Sequence, residues 1–367
     1  MRNDVSIIGA GTAGLIAARK LGELGIEATV YDQKRRLGLP VRASGILSIS
    51  GLSTLGMDYS GCVTNSLVGA NVHADGRVMR IRSKRPVAYV LDRKMLNDRC
   101  QDHAVAEGAV VVTGRRMGGA ELDRLSGNGI VIGADGAVSS VASHFGMGGS
   151  PGMVLTWKAE YDAVAAEEGV VDLFFDNRSC RGLFAWVCPN SRDVIEVGVG
   201  VDARYGNAKA AFREFVSGEQ IGKIVGGRQP ASEGASVIPA GMRRHIVRDS
   251  PRVMLIGDAA GQVKPTTGGG VIFGGNAAIM AAEAVKAHLD GRGKLSDYRS
   301  AFMRKYGLDL AMHSAINRIY SSLGPGMMGR AIDVLNALGV DGFLGEYGDM
   351  DRPSLMLKRL FLRSLSV

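Results

Sequence analysis

The chain has 367 residues, 46% of them hydrophobic and 22% charged, a globular composition long enough for two joined domains. Its formal net charge of +8 favours anionic partners, but no zinc-finger spacing or aromatic-interleaved basic run accompanies it, so nucleic acid is not expected. Four scattered cysteines without a CxxC pair exclude an iron–sulfur cluster and a structural zinc site, and no apolar run reaches the length of a membrane-spanning helix.

Residues 4–9 read as a buried strand, followed by a glycine turn and a helix to about residue 25. Residues 26–32 form the second strand of a βαβ start. Residues 38–60 are rich in Gly and Ser and read as loop. Short alternating stretches at 78–81 and 87–91 predict antiparallel strands. Residues 93–108 predict a helix with Gly108 near its C-cap. Buried strands follow at 110–113 and 130–133, and Gly133-Ala134-Asp135-Gly136 leads into a short helix. Strands recur at 154–161, 171–175, 183–188 and 194–201. Residues 253–256 are one more buried strand, before an Ala-rich helix. From 297 onward the pattern is helical, broken at Gly324-Pro325-Gly326. The fold class is α/β: a discontinuous Rossmann-like domain over 1–60, 93–150 and 250–293, a second antiparallel β-sheet substrate domain over 61–92 and 151–249, and a C-terminal helical region over 294–367.

Chemistry concentrates at the two ends of the Rossmann-like domain. Gly9, Gly11 and Gly14 form a GxGxxG turn: Gly9 for the tight turn, Gly11 for close approach of a pyrophosphate, Gly14 for helix–strand packing. Asp32 ends the second strand, where an acid holds a ribose hydroxyl. At the far end, Gly257-Asp258-Ala259-Ala260-Gly261 and Pro265-Thr266-Thr267-Gly268-Gly269-Gly270-Val271 bring backbone N–H groups, a helix N-terminus and one carboxylate to an anion. One motif alone indicates a dinucleotide. Together they indicate FAD.

With Gly133–Gly136 between them, these motifs resemble the FAD domain of the hydroxylase-like flavoproteins. Within that group the chain resembles the geranylgeranyl reductase family, in particular the archaeal digeranylgeranylglycerophospholipid reductases. Phe184-Ala185-Trp186-Val187-Cys188-Pro189 is similar to that family's Tyr-x-Trp-x-Phe-Pro, and Leu91-Asp92-Arg93 to its Leu-Asp-Arg. The chain departs from the family at Arg42-Ala43-Ser44-Gly45, where many members carry Cys-Gly-Glu-Gly, and at Phe184 and Cys188 within the Trp/Pro motif.

The resemblance implies FAD contacts at Gly9, Gly11, Ala13 and Gly14 for the pyrophosphate and Asp32 for the adenosine ribose. It puts Arg42, Ala43 and Gly45 in a loop beside the flavin, Arg93 near the phosphates and Met117 at the adenine through its backbone. Asp258, Gly270 and Val271 complete the site. Phe184, Trp186 and Pro189 are the substrate residues, and no metal is expected. The implied reaction is reduction of carbon–carbon double bonds in geranylgeranyl chains of membrane-lipid precursors, by hydride from flavin N5 plus a proton from an unidentified donor. No second nucleotide-binding unit is present, so electrons would come from NAD(P)H, a deazaflavin or a ferredoxin. Residues 354–365 form a basic amphipathic segment suited to an anionic membrane surface, so the expected location is cytoplasmic with peripheral membrane contact. A flavin-dependent monooxygenase or halogenase is the alternative within the superfamily, and a non-catalytic FAD-binding lipid carrier the alternative outside it.

Overall fold

A computed structural model describes residues 4–40, 43–149, 152–356 and 358. Strand β1 (Val5–Ile8), helix α1 (Thr12–Glu23) and strand β2 (Ala28–Tyr31) build the expected start. The segment expected as loop instead holds β3 (Ile46–Ser48) and α2 (Ile49–Leu52). The reason is pairing at a distance: β3 lies antiparallel to a later strand, and the Ser48 hydroxyl caps α2 by accepting from Gly51 N–H. Then come β4 (Val63–Leu67), β5 (Gly69–Ala74), β6 (Arg77–Arg82), β7 (Ala88–Leu91), α3 (Arg93–Ala106), β8 (Val110–Val112), α4 (Gly119–Asn128), β9 (Ile130–Gly133) and α5 (Ser140–His144).

The second half carries β10 (Met153–Asp162), β11 (Val170–Phe174), β12 (Ala185–Pro189), β13 (Val194–Asp202), α6 (Ala208–Ser217), α7 (Glu219–Val225), β14 (Ser232–Pro239), β15 (Val247–Asp249) and β16 (Arg252–Leu255). A 3-10 turn at Gly257–Ala260 follows, and then α8 (Val271–Leu289), α9 (Asp297–Ser322), α10 (Met327–Ala337) and α11 (Val340–Tyr347). Helices α4, α6 and α7 and strand β14 are additions to the elements read from sequence. Most of the basic segment 354–365 lies outside the described residues. Among the described residues, no helix is long and apolar enough to cross a membrane.

Three sheets result. The first has the order β15-β16-β9-β1-β2-β8, parallel except for β15 at its edge. Its strands are nearly continuous apolar runs because helices cover both faces. Helix α8 is apolar nearly all round, since α1 and the sheet flank one side and α9 the other. Phe273 of α8 packs on Tyr306 of α9, ring centroids 5.0 Å apart.

The second sheet has the order β14-β10-β13-β12-β11-β5-β6. It is antiparallel except between β5 and β11, which are parallel. The small third sheet, β3-β7-β4, takes the other strands of the 61–92 segment, so that segment is shared between two sheets. Period-two alternation explains the faces of β13. Ile195, Val197, Val199 and Val201 point into a core under α6 and α7. Glu196, Gly198, Gly200 and Asp202 point the opposite way. A Cβ on Gly198 would overlap the indole of Trp186, and one on Gly200 would overlap Leu183. Glycines in this central strand therefore make room for large side chains lying flat across it.

Candidate functional site

The turn after β1 is fixed by what surrounds it. Gly9 has φ +111, and a Cβ there would overlap the Ala134 carbonyl of the Gly133–Gly136 turn. A Cβ on Gly14 would overlap the Gly9 carbonyl oxygen. Gly11 is different: a Cβ there meets nothing within 4 Å. It opens above the N-terminus of α1, a helix with no acidic residue in its first turn and no side-chain cap. Those N–H groups face outward, free to meet an anion.

Asp32 braces this turn. Its Oδ2 accepts from Ala10 N–H at 2.8 Å and its Oδ1 from Lys34 N–H at 2.8 Å. Each carboxylate oxygen keeps a lone pair for a further donor such as a ribose hydroxyl.

Arg93 begins α3, directly after Asp92, whose side chain caps the helix by accepting from Met95 N–H. Its Nη2 donates to the Thr12 hydroxyl at 3.3 Å, which brings the guanidinium to the first turn of α1. Nε and Nη1 are buried and have no hydrogen-bond partner among the described residues. Burying guanidinium nitrogens this way is costly without an anionic acceptor. Asp258 is the nearby countercharge; burial raises its carboxyl to about 6, with Arg93 opposing the rise. Burial in turn lowers the Arg93 pKa, opposed by Cys100 and Asp258.

The far end of the chain closes over the same place. In the 257–271 segment, Gly257 and Gly274 both approach Ala13, at 3.0 and 3.7 Å from the position a Cβ would take. A Cβ on Gly270 would press on Val263 and on Asp258 Oδ1, at 2.6 and 2.7 Å. Gly270 is also the N-cap of α8, and Val271 its first residue, again with no acid or side-chain cap in the first turn. Two helix N-termini and one guanidinium thus belong to one cleft, and the anionic backbone of a dinucleotide fits that donor set.

Two polar braces hold the segment from behind. Gln262 accepts from Gly257 N–H at 2.8 Å and donates to the Tyr298 hydroxyl, which donates in turn to the Leu255 carbonyl. Lys264 pairs with buried Asp351 at 2.5 Å, and Asp351 also accepts from the Ser48 hydroxyl. His313 bonds Thr266 Oγ1 through Nδ1 at 2.7 Å; burial and the Lys264 charge hold its pKa below the usual histidine value. An apolar cavity of about 200 Å3 lies beside this segment, between Met242, Val263 and Pro265 and the Met303, Leu310 and Ala311 side of α9.

In the loop expected beside the flavin, Ala43 offers its carbonyl to Lys158 Nζ at 3.1 Å. The Ser44 hydroxyl is buried without a partner among the described residues. Gly45 is forced by the Leu91 carbonyl. Arg42 lies outside the described residues. Met117 is buried in the core of the first sheet, 6% exposed.

Phe184 and Trp186 share one apolar cluster, in an edge-to-face pair at 6.2 Å. The Trp186 indole N–H donates to Glu196 Oε1 at 2.8 Å, and Glu196 Oε2 pairs with Lys158 at 2.5 Å. Pro189 is not brought to this cluster. Alternation puts it on the Ala185 and Val187 face, where it ends β12, and its carbonyl accepts from Asn65 at 2.8 Å. Lys158 and Glu196 are the residues that sequence reasoning missed. The available signal was a charge set among apolar residues inside each of two strands, Lys158 between Trp157 and Ala159 and Glu196 between Ile195 and Val197. All four cysteines are free and buried, and burial raises the Cys188 thiol well above its ordinary value.

A family of NAD(P)-binding Rossmann-like domains matches residues 7–44. The chain is 28% identical to a digeranylgeranylglycerophospholipid reductase of Methanothrix thermoacetophila, over 88% of each chain. It is 25% identical to an uncharacterized protein of Methanocaldococcus jannaschii, over 99% of this chain and 96% of that one. Among solved structures, a geranylgeranyl bacteriochlorophyll reductase-like protein from Thermoplasma acidophilum superposes with a TM-score of 0.79. It is 19% identical and covers 90% of this chain and 91% of its own. A probable FAD-dependent monooxygenase from Pseudomonas aeruginosa superposes at 0.67, with 17% identity over 90% of this chain and 99% of that one. The resemblance read from the motifs is borne out, and the fold is that of the hydroxylase-like flavoproteins.

Proposed function

We propose that this relative of the archaeal digeranylgeranylglycerophospholipid reductases is itself an FAD-dependent reductase of carbon–carbon double bonds in geranylgeranyl chains of membrane-lipid precursors. The observation that carries the cofactor is Arg93, two of whose buried nitrogens lack an acceptor at the N-terminus of α1. The short family match at 7–44 describes only the dinucleotide turn. The 257–271 segment, closing on Ala13 from the other end, favours FAD over a nicotinamide nucleotide.

Bound FAD, once reduced, supplies a hydride for one alkene carbon. The chain does the rest. Gly11, Thr12 and Arg93 take the pyrophosphate, Asp32 a ribose hydroxyl, and Gly270 with Val271 the ring edge. Val154 of β10, Leu183 and Phe184 just before β12, and Trp186 of β12 wall the substrate side, an apolar surface that orients an unactivated alkene and excludes water. Lys158 Nζ is a buried proton-bearing atom at the seam between this wall and the 43–45 loop. We take residues 1–60, 93–150 and 250–293 as the cofactor domain, and 61–92 with 151–249 as the substrate domain.

Exposed Leu308, Ile316 and Ile319 on α9, Val334 on α10 and Leu338 just after it, with exposed Arg304, Arg318 and Arg330, support peripheral contact with an anionic bilayer from the cytoplasmic side. The donor is NAD(P)H, a deazaflavin or a ferredoxin.

The test is direct. Purified protein loaded with FAD and chemically reduced is mixed with a geranylgeranyl glycerolipid, and the lipid is weighed by mass spectrometry. Gain of a pair of hydrogens per double bond is expected. Bound, reducible FAD with unchanged lipid would overturn the proposal, and oxygen uptake with an aromatic substrate would favour the monooxygenase reading.

A further inference from the structure

A second cavity, of about 210 Å3, opens at the far end of the second sheet from the 43–45 loop. Its lining includes Phe175, Arg178, Arg181, Ser322 and Met328. At ~30 Å3 per water it holds about seven waters, enough for a head group but not for a twenty-carbon chain.

Three features join this cavity to the site. Phe175 contacts Tyr320 at 5.2 Å and Phe184 at 5.3 Å, and Phe184 contacts Trp186 at 6.2 Å. This aromatic row leads from the cavity to the Trp186–Glu196–Lys158 chain, which ends on the Ala43 carbonyl. Second, Arg181 is half-buried and, among the described residues, hydrogen-bonds no carboxylate, though its charge acts on Asp202: Nε donates to the Ser321 carbonyl at 3.2 Å, and the guanidinium lies over Tyr205 at 4.1 Å. Its Nη groups donate to nothing else among the described residues. Third, the lining carboxylates are engaged. Asp176 is bound by Arg178 and the Ser179 hydroxyl, and Asp75 accepts from Gly329 N–H. Arg178 gives Nε and Nη2 to Asp176, which leaves the Arg181 Nη groups and Arg178 Nη1 as donors at a cavity beside Phe175, a set that suits a phosphate ester on a hydrocarbon chain.

We propose that this cavity binds the phosphate ester heading an isoprenoid lipid, gripped by Arg181 and Arg178, with the chain running along Phe175 and Phe184 toward Trp186. The proposal rests on the reductase reading for the identity of the chain. The phosphate places the head, and the aromatic row sets which double bonds reach the 43–45 loop.

The test measures binding apart from turnover. Oxidised, FAD-loaded protein in detergent micelles is titrated with a diether lipid carrying glycerol phosphate and with the same diether lacking phosphate. Wild type is expected to bind the phosphorylated lipid at least tenfold more tightly, and Arg181→Gln with Arg178→Gln to abolish that preference. Arg178 is largely solvent-exposed, with 79% of its side chain accessible, so Arg178→Glu serves as a second variant that folds and weakens the preference by charge reversal. Equal affinity of wild type for both lipids, or a preference unchanged in the variants, overturns the site. Soluble glycerol phosphate binding as tightly as the lipid overturns its assignment to a lipid head group. A preference lost in the variants of a protein that reduces no lipid leaves the head-group site standing and sinks the reductase reading instead.

Discussion

The two walls of the cleft treat their buried polar groups in opposite ways. On the cofactor side, Arg93 Nε and Nη1 and the Ser44 hydroxyl have no partner among the described residues, and Gly11 faces open space. On the sheet side, Lys158, Glu196 and the Trp186 indole are all paired, Lys158 donating to the Ala43 carbonyl as well. The first arrangement is a set of donors whose acceptor comes from outside the chain. The second is a closed network whose work is to hold a shape. A cleft between a wall of unmet donors and a self-sufficient wall can bind a charged cofactor on one side and hydrocarbon on the other.

This contrast can be broken by substitution. The largest effect is expected at Gly14→Ala, where the new methyl overlaps the Gly9 carbonyl: little folded protein should be recovered. Gly11→Ala, three residues away and facing open space, should leave the melting temperature of the apoprotein unchanged and weaken FAD binding at least tenfold. If both variants behave alike, the distinction between packing and ligand glycines fails.

Lys158→Met comes next. It strands a buried Glu196 carboxylate and should cost about 3–5 kcal/mol in urea unfolding. Adding Glu196→Gln should recover much of that loss. A single substitution costing nothing would show that the network is not closed.

Arg93→Met removes the donor to the phosphates. Charge-assisted bonds of about 1.5–3 kcal/mol translate into an FAD affinity loss of roughly tenfold to a hundredfold. Fluorescence titration measures it, and the apoprotein should be no less stable, since the guanidinium was poorly paired.

The smallest effect is at Asp258→Asn. The folded pKa of Asp258 is raised to about 6 against a usual value of 3.8, so its carboxylate opposes folding of the apoprotein. That penalty is absent below pH 3.8, grows through the window up to about 6 and is complete above it. The Asn variant of the apoprotein should therefore melt higher than wild type at pH 7 and equal it near pH 3.5. A difference independent of pH would remove titration as the cause.

The cofactor wall was the more legible of the two from sequence. Gly9 and Gly14 are dictated by backbone atoms lying against them and Gly270 by the Val263 and Asp258 side chains, and such positions recur at fixed spacings within short segments. Asp32 and Asp258 follow because each sits at the end of a strand beside its glycine turn. The sheet wall depends on partners far apart in sequence: Lys158 meets Glu196 only once β10 and β13 pair. The short β3 and α2 were invisible for the same reason, since β7 supplies their order. Pro189, in a motif with Trp186, was read as its neighbour in function, whereas strand alternation sends the two to opposite faces.

Asp351 gives the tail of the chain a hold on the cleft. It is the anchor for Lys264 beneath the 264–270 turn and for Ser48 at α2, and Arg352 beside it bonds Asp309 of α9. The link between α10 and α11 at Leu338 and Gly339 is fully exposed. A protease nick there would cut the covalent tether of this anchor while touching no residue of the cleft. Flavin release would then track cleavage of the tail, making bound-flavin fluorescence a reporter of an event about seventy residues downstream in sequence from the turn that holds it.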